Sequence, residues 1–379
     1  MELYVLNNNF LPVYVIDNFV SVIWTERYTS AGDVQLTLVP TKFYIESLKP
    51  GTYLSIPESQ EVMRIETQLI ENGLLKISGH SLLDFLSQRY VWEAHLENMA
   101  ANTSPILKDY TSNQLVPGNF ISAVVERFTL IIPEFPNAWK FHSLDSIYER
   151  IPNFSLGAID YSGAPVELTA KLGPIYPAIK EVAETHKVGI SLYLEYANNN
   201  GAYSLKFQTY KGKNRTSNQS TNKLIRLSPS FDEISDVKEL QSSAEEINTI
   251  YVHNPGGMYR FEIVNGMLVR NGVSTPGLHR RTKVVHPTIS PNDFGSSGIS
   301  YNYMFETAQR YLAKYKQAHI IDAQITSLNN YIFGVDYWLG DIVDFESAIT
   351  AARTPARVTE YIRSHDSTGE KAYPTIVVE

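Results

Sequence analysis

YWLGDIVDFES at 337–347, followed by RVTEYIRSHDSTGEKAYPTIVVE at 357–379, decides the fold. Tyr337 to Phe345 reads as two short strands joined at Leu339, Gly340 and Asp341, because a Gly-Asp pair supplies the tight turn that flanking apolar residues need. Arg357 to Ser364 reads as a further strand, His365 to Lys371 as its turn, and Tyr373 to Val378 as the returning strand. Strand, turn and strand in this succession predict the side of a small antiparallel barrel.

Alternation dominates the N-terminal region. Residues 2–6, 11–16, 20–28, 33–38, 51–56, 61–70 and 73–79 read as strands between Gly, Pro and Asn punctuation. Short helices are expected at Thr41 to Leu48 and at Ser81 to Tyr90, the second presenting Leu82, Leu83, Leu86 and Tyr90 at helical spacing. The pattern changes from about residue 95. Phe120, Val124 and Phe128 lie four apart in a helix over Asn119 to Leu130, and Pro174 to Lys187 forms another, with Pro at its start and Gly189 past its end. GISLYLEY and YSLKFQTY around ANNNGA read as a hairpin. KGKNRTSNQSTNK at 211–223 has no large apolar residue and reads as an exposed loop, its four cations available to a neighbouring subunit. Strands follow at 246–253, 258–264 and 267–270, then the long helix Ser300 to Gln317 and the strand opening HIIDAQITSL.

The expected fold class is therefore mainly β with α/β insertions, an α+β chain. Its expected units are a first β-barrel at 1–98, an α/β insertion subdomain at 99–210, and a loop and linker at 211–245. The start of a second β-barrel at 246–275, an insertion with the long helix at 276–318, and the remainder of the second barrel at 319–379 complete it. A chain of 379 residues exceeds one typical core, so two to four subdomains are expected.

With no Cys, disulfides, thiolate zinc sites and a thiol nucleophile are excluded. No secretory signal is visible at the N-terminus, and the apolar runs, such as FTLII at 128–132, are far shorter than the ~20 residues of a membrane helix. A net charge of −8 argues against a surface built to grip phosphate backbones.

Candidate chemistry is sparse. Asp336, Asp341, Asp344 and Glu346 are the densest acidic cluster, the residue type of a wall-degrading glycosidase, but their place around a tight turn has them facing solvent on a hairpin. Ser364, His365 and Asp366 are consecutive and cannot converge as nucleophile, base and orienter. Ser235 to Lys238 matches SxxK without its companion motifs, and NPGG at 254–257 has neither helix nor P-loop lysine behind it. The nine histidines show no metal-ligand spacing. No catalytic residue, cofactor site or metal site is assigned. The basic run His279, Arg280, Arg281 and Lys283, near His286, is the candidate contact to a neighbouring subunit or to passing DNA, and nothing aromatic interleaves it.

The terminal motifs carry a resemblance. LGD, then RVTE, a polar turn and PTI, together with MELYVLNNNFLPVYVIDNFVSVIWTERYTSAGDVQLTLVP at 1–40, LKPGTYLSI at 48–56 and LLKISGHSLLDFLSQRYVW at 74–92, resemble tail-hub proteins of long-tailed bacteriophages, in particular siphophages of Gram-positive hosts. The resemblance covers the two ends and only the general plan of the middle. It implies two tail-tube-like barrels and a homotrimer whose six barrels ring the channel through which DNA is ejected, adapting a sixfold tail to a threefold tip. It also implies contacts with the distal tail protein ring, the tape-measure protein and receptor-binding or tip proteins, in a virion component assembled in the host cytoplasm. The matching motifs hold no catalytic residue and are silent about chemistry; with the candidate residues above discounted, the chain is expected not to be an enzyme. Two other classes compete. A tail-associated cell-wall hydrolase would need a C-terminal extension, and a host-carbohydrate or receptor-binding module would need exposed Trp and Tyr; Trp24, Trp92, Trp139 and Trp338 are expected in the core.

Overall fold

The computed structural model describes residues 1–91, 93–95, 106–130, 151, 153–196, 203–228, 234–254, 257–265, 267–272, 277–286, 301–316, 318–325, 331–347 and 353–378. Trp92, Trp139 and the segment 287–300 lie outside them. The N-terminal strands are β1 (Leu3–Leu6), β2 (Pro12–Ile16), β3 (Ser21–Arg27), β4 (Asp33–Leu38), β5 (Tyr53–Ser55), β6 (Met63–Glu71) and β7 (Leu74–Ser81), close to the alternation in the sequence. Asn72 and Gly73 both take positive φ, the geometry of a two-residue turn between β6 and β7. Helix α1 (Lys42–Ser47) begins where the Thr41 hydroxyl accepts the Tyr44 amide proton at 3.1 Å. The expected helix after β7 is a 3-10 turn, Leu82–Gln88.

The middle region supplies α2 (Pro117–Thr129), β8 (Phe154–Leu156), α3 (Ile175–His186) and the hairpin β9 (Gly189–Tyr196) and β10 (Tyr203–Tyr210). Helix α3 ends at Lys187 in the left-handed conformation, not at a glycine. The Lys187 carbonyl accepts the Tyr28 hydroxyl proton at 2.8 Å, a tertiary contact that holds the turn a Gly would otherwise favour.

Strands β11 (Arg226–Leu227) and β12 (Ile234–Ser242) precede β13 (Thr249–Asn254), β14 (Gly257–Val264), β15 (Met267–Arg270) and β16 (Thr282–Val285). Helix α4 (Tyr301–Lys314), β17 (Ala318–Ile325), β18 (Ile342–Glu346), β19 (Arg353–Asp366) and β20 (Gly369–Val378) complete the chain. Three readings change here. The stretch before Gly340 is a turn and not a strand, the last hairpin is longer on both arms, and its turn is only two residues long.

Two closed barrels were expected; thirteen of the described strands instead form one large sheet with the order β12-β17-β20-β19-β3-β4-β7-β6-β5-β1-β2, to which β18 and β11 attach beside β19. The joint is the antiparallel pairing of β19 with β3, from Glu360 opposite Arg27 to His365 opposite Val22. Each half nevertheless curls. Leu3, Ile16, Trp24, Leu36 and Ile77, from strands far apart in the order, share one apolar cluster, and Ile225, Tyr337, Phe345, Val358 and Ile376 share a second. Strands β13 to β15, expected to open the second barrel, pair among themselves and with β16 in a separate sheet. Ile250, Val252 and Phe261 of that sheet are buried against Met304, Ala308 and Leu312 of α4, because an amphipathic helix needs an apolar face to cover. A fourth cluster unites α2, α3, β9, β10 and Leu82, Leu83 and Leu86 of the 3-10 turn.

Candidate functional site

The acidic turn at 336–346 and the polar loop at 211–223, read as two solvated surfaces, lie against each other. Asp341 is 2 % exposed and Arg215 5 %. The Arg215 Nε donates to Asp341 Oδ2 at 2.5 Å, and the Lys213 and Trp338 amides donate to the same carboxylate at 2.7 and 3.1 Å. The Ser217 amide donates to Asp344 at 3.0 Å, the Ser228 hydroxyl and Arg353 Nε donate to Glu346 at 3.3 and 3.0 Å, and Lys223 Nζ meets Asp336 at 2.6 Å. Hydrogen bonding from Lys223 and the Ile332 amide holds the Asp336 carboxyl below its ordinary range, and Arg353 does the same for Glu346. All four carboxylates thus bind donors from their own chain, so the expectation that they face solvent fails. The loop is fixed rather than free: the Arg215 amide donates to the Ile342 carbonyl of β18 at 2.8 Å, the Ile342 amide donates to the Lys213 carbonyl at 2.9 Å, and β11 runs parallel to β18.

Two glycines permit this approach. A Cβ on Gly212 would stand 1.9 Å from the Gly340 carbonyl, and one on Gly340, whose φ is +88°, would strike the Tyr28 ring at 2.2 Å. Tyr28 therefore touches the N-terminal sheet, the turn of the C-terminal half and, through Lys187, the middle region.

A second charged cluster sits on the joint between β3 and β19. Arg363 pairs with Glu26 and donates to the Glu58 carbonyl at 3.3 Å; Arg27 pairs with Asp33 and, at 2.6 Å, with Glu360. Glu61, 7 % exposed, forms a strand-like bridge to Tyr193 of β9. Burial, reinforced by the charge of Glu26, pushes the Glu61 carboxyl well above its usual value. Burial also raises Glu26, against the pull of Arg363.

The basic run is placed on the smaller sheet. His279 ends a 3-10 turn and is exposed; Arg280 pairs with the buried Glu262 at 2.9 Å; Arg281 donates to the Ser243 hydroxyl at 3.2 Å. The Lys283 ammonium lies 3.8 Å from the Tyr315 ring centre and 5.6 Å from that of Tyr311. The absence of aromatic partners read from neighbouring residues does not hold in space, since α4 delivers both rings, and Lys283 in turn lowers the Tyr315 hydroxyl pKa. His365 and Asp366 serve the last hairpin: Asp366 accepts from the Thr368 amide and hydroxyl at 2.7 and 2.6 Å, which caps the turn and lowers its pKa. Trp24 is fully buried as expected, whereas Trp338 is 42 % exposed, with the Arg215 guanidinium 5.2 Å from its ring. Among the described residues, no helix is long and apolar enough to cross a membrane.

The fold has close counterparts in solved structures along its whole length. The 43 kDa tail protein of prophage MuSo2 from Shewanella oneidensis is 10 % identical, with a TM-score of 0.54 over 100 % of this chain and 98 % of that one. A tail protein from Neisseria meningitidis MC58 is 11 % identical, with a TM-score of 0.55 over 100 % and 96 %. Prophage tail protein gp18 from Listeria monocytogenes EGD-e is 10 % identical, with a TM-score of 0.50 over 100 % and 94 %. No curated protein matches the chain. The family model described as Siphovirus ReqiPepy6 Gp37-like protein matches residues 2–376. The chain thus shares its fold with phage tail proteins and belongs to the Siphovirus ReqiPepy6 Gp37-like family.

Proposed function

We propose that the chain is a structural tail protein: a hub at the distal end of a siphophage tail, forming a trimeric ring around the DNA ejection channel. The observation that carries this reading is the match of the entire fold to tail proteins across nearly their full lengths. The two curled halves of the large sheet would act as the paired barrel-like units of each subunit, six in a ring, offering similar surfaces to a sixfold tail above and a threefold tip below. The role is mechanical and non-enzymatic. The acidic cluster acts within the subunit as a clamp, which fits a part that must stay rigid while DNA passes. Partners in this reading are the distal tail protein ring, the tape-measure protein and receptor-binding or tip proteins. His279 and Arg281, the exposed members of the basic run, are the residues we assign to a contact with a neighbouring subunit or with the channel DNA.

Electron-microscope class averages of the purified chain test the proposal. A threefold ring with six lobes and a central opening is expected, either alone or after addition of the distal tail protein ring. A particle that stays monomeric in both conditions overturns it.

A further inference from the structure

We propose that Glu66, His80 and Asp84 form a binding site for one divalent transition-metal ion, zinc foremost. Three local features converge on it. The pairing of β6 with β7 runs from Arg64 opposite His80 to Ile65 opposite Gly79 and then slips before Thr67, so Glu66 is the extra residue of a bulge beside His80. The His80 Nδ1 lies 2.8 Å from Glu66 Oε2. Directly after β7 the chain enters the 3-10 turn, whose Leu82, Leu83 and Leu86 are drawn into the core of the middle region; Asp84, between them in sequence, is left at the rim.

One donor atom from each of the three side chains falls within 4.8 Å of the others. At metal bonds of ~2.0–2.2 Å two ligand atoms of a tetrahedral shell stand about 3.4 Å apart, so Asp84 must draw in while the His80–Glu66 contact opens by roughly half an ångström, rotamer adjustments within reach of these side chains. His80 and Glu66 are half exposed, leaving room for water to complete the coordination shell. An imidazole nitrogen with two carboxylate oxygens suits zinc or manganese better than calcium or magnesium, which favour oxygen-only shells. The charge balance points the same way. Among the described residues, neither Glu66 nor Asp84 has a lysine or arginine at ion-pair distance, and the histidine is the sole basic group the pair shares. A bound dication would tie the β6–β7 hairpin to the 3-10 turn and so brace the N-terminal sheet against the middle region.

The test is titration of the full chain with ZnCl₂, by calorimetry and by thermal unfolding, for the wild type, His80→Gln and Asp84→Asn, with MgCl₂ as the comparison ion. Expected is binding of one zinc per chain with a rise in unfolding temperature, and an affinity roughly ten-fold or more weaker in each variant, since even outer-shell changes around a metal have effects of that size. His80 is exposed, and Asp84, half-buried, keeps as Asn the oxygen that accepts the Ser87 hydroxyl proton at 3.2 Å, so the circular dichroism and metal-free unfolding temperature of both variants should match the wild type. If either variant folds poorly, Glu66→Gln replaces it. The proposal is overturned if the wild type binds no zinc, or if the variants titrate like the wild type, which would place the ion on other histidines.

Discussion

Asp341 and Glu61 are both buried carboxyls, yet their surroundings lead to opposite predictions. Asp341 is surrounded by donors, and Arg215 is its buried counter-charge. Removing one member of such a pair strands the other, at about 3–5 kcal/mol. Asp341→Ala should therefore lower the unfolding free energy of the C-terminal half by that amount, read in denaturant through the fluorescence of Trp338 beside Arg215, while the double change Arg215→Met with Asp341→Leu should be much milder. Equal losses in the two would show that the pair is not the source. Glu61 lacks such support, and its carboxyl pKa is raised well above the ordinary 4.5 by burial and by Glu26. The folded state then holds a proton that the unfolded state releases, so this contribution is complete below the unfolded value and lost as pH rises through the folded one. Glu61→Gln, which imitates the neutral form, should flatten the decline of stability on the alkaline side; parallel stability–pH curves for variant and wild type would refute the assignment.

At the scale of elements, turns and pairings were more legible than contacts. The alternation placed β1 to β7 within a residue or two, because each strand has one apolar face and the period of two is written into the chain. Gly340 shows what the turn needed: left-handed backbone and no side chain against Tyr28. Gly340→Ala meets both penalties, whereas Gly369→Ala, at φ +111° in open space, meets only the first. The former should lose several kcal/mol and the latter about 1–3 kcal/mol, by denaturant unfolding. The loop at 211–223 has no large apolar residue and so reads in sequence as an exposed loop; its order comes from Asp336, Asp341 and Asp344, more than a hundred residues away. Trypsin should accordingly spare Arg215 in the native protein while cutting it in the Asp341→Ala variant, and rapid native cleavage at Arg215 would contradict the clamp.

Across the whole molecule, the pairing of β19 with β3 makes the two chain ends one sheet. Removing residues 353–379 would bare the β3 edge together with the Glu26 and Arg27 carboxyl and guanidinium groups that Arg363 and Glu360 now satisfy. Hydrogen exchange in 21–27 should then rise to the level of an unpaired strand, with association of the truncated chain through that edge. Unchanged protection there would mean that the N-terminal half is independent.

The sequence by itself determined the strand positions, the amphipathic helices, the absence of thiol chemistry and, through its terminal motifs, the family. These depend on local periodicity and on residue types close together in the chain. Only the tertiary structure decided that the two halves form one sheet instead of two closed barrels, that the strands after residue 249 make a sheet of their own under α4, and that the acidic turn clamps the polar loop. Each of those outcomes depends on which distant surfaces meet, and on the burial of charge that follows; a polar residue looks the same in sequence whether it faces water or a buried partner.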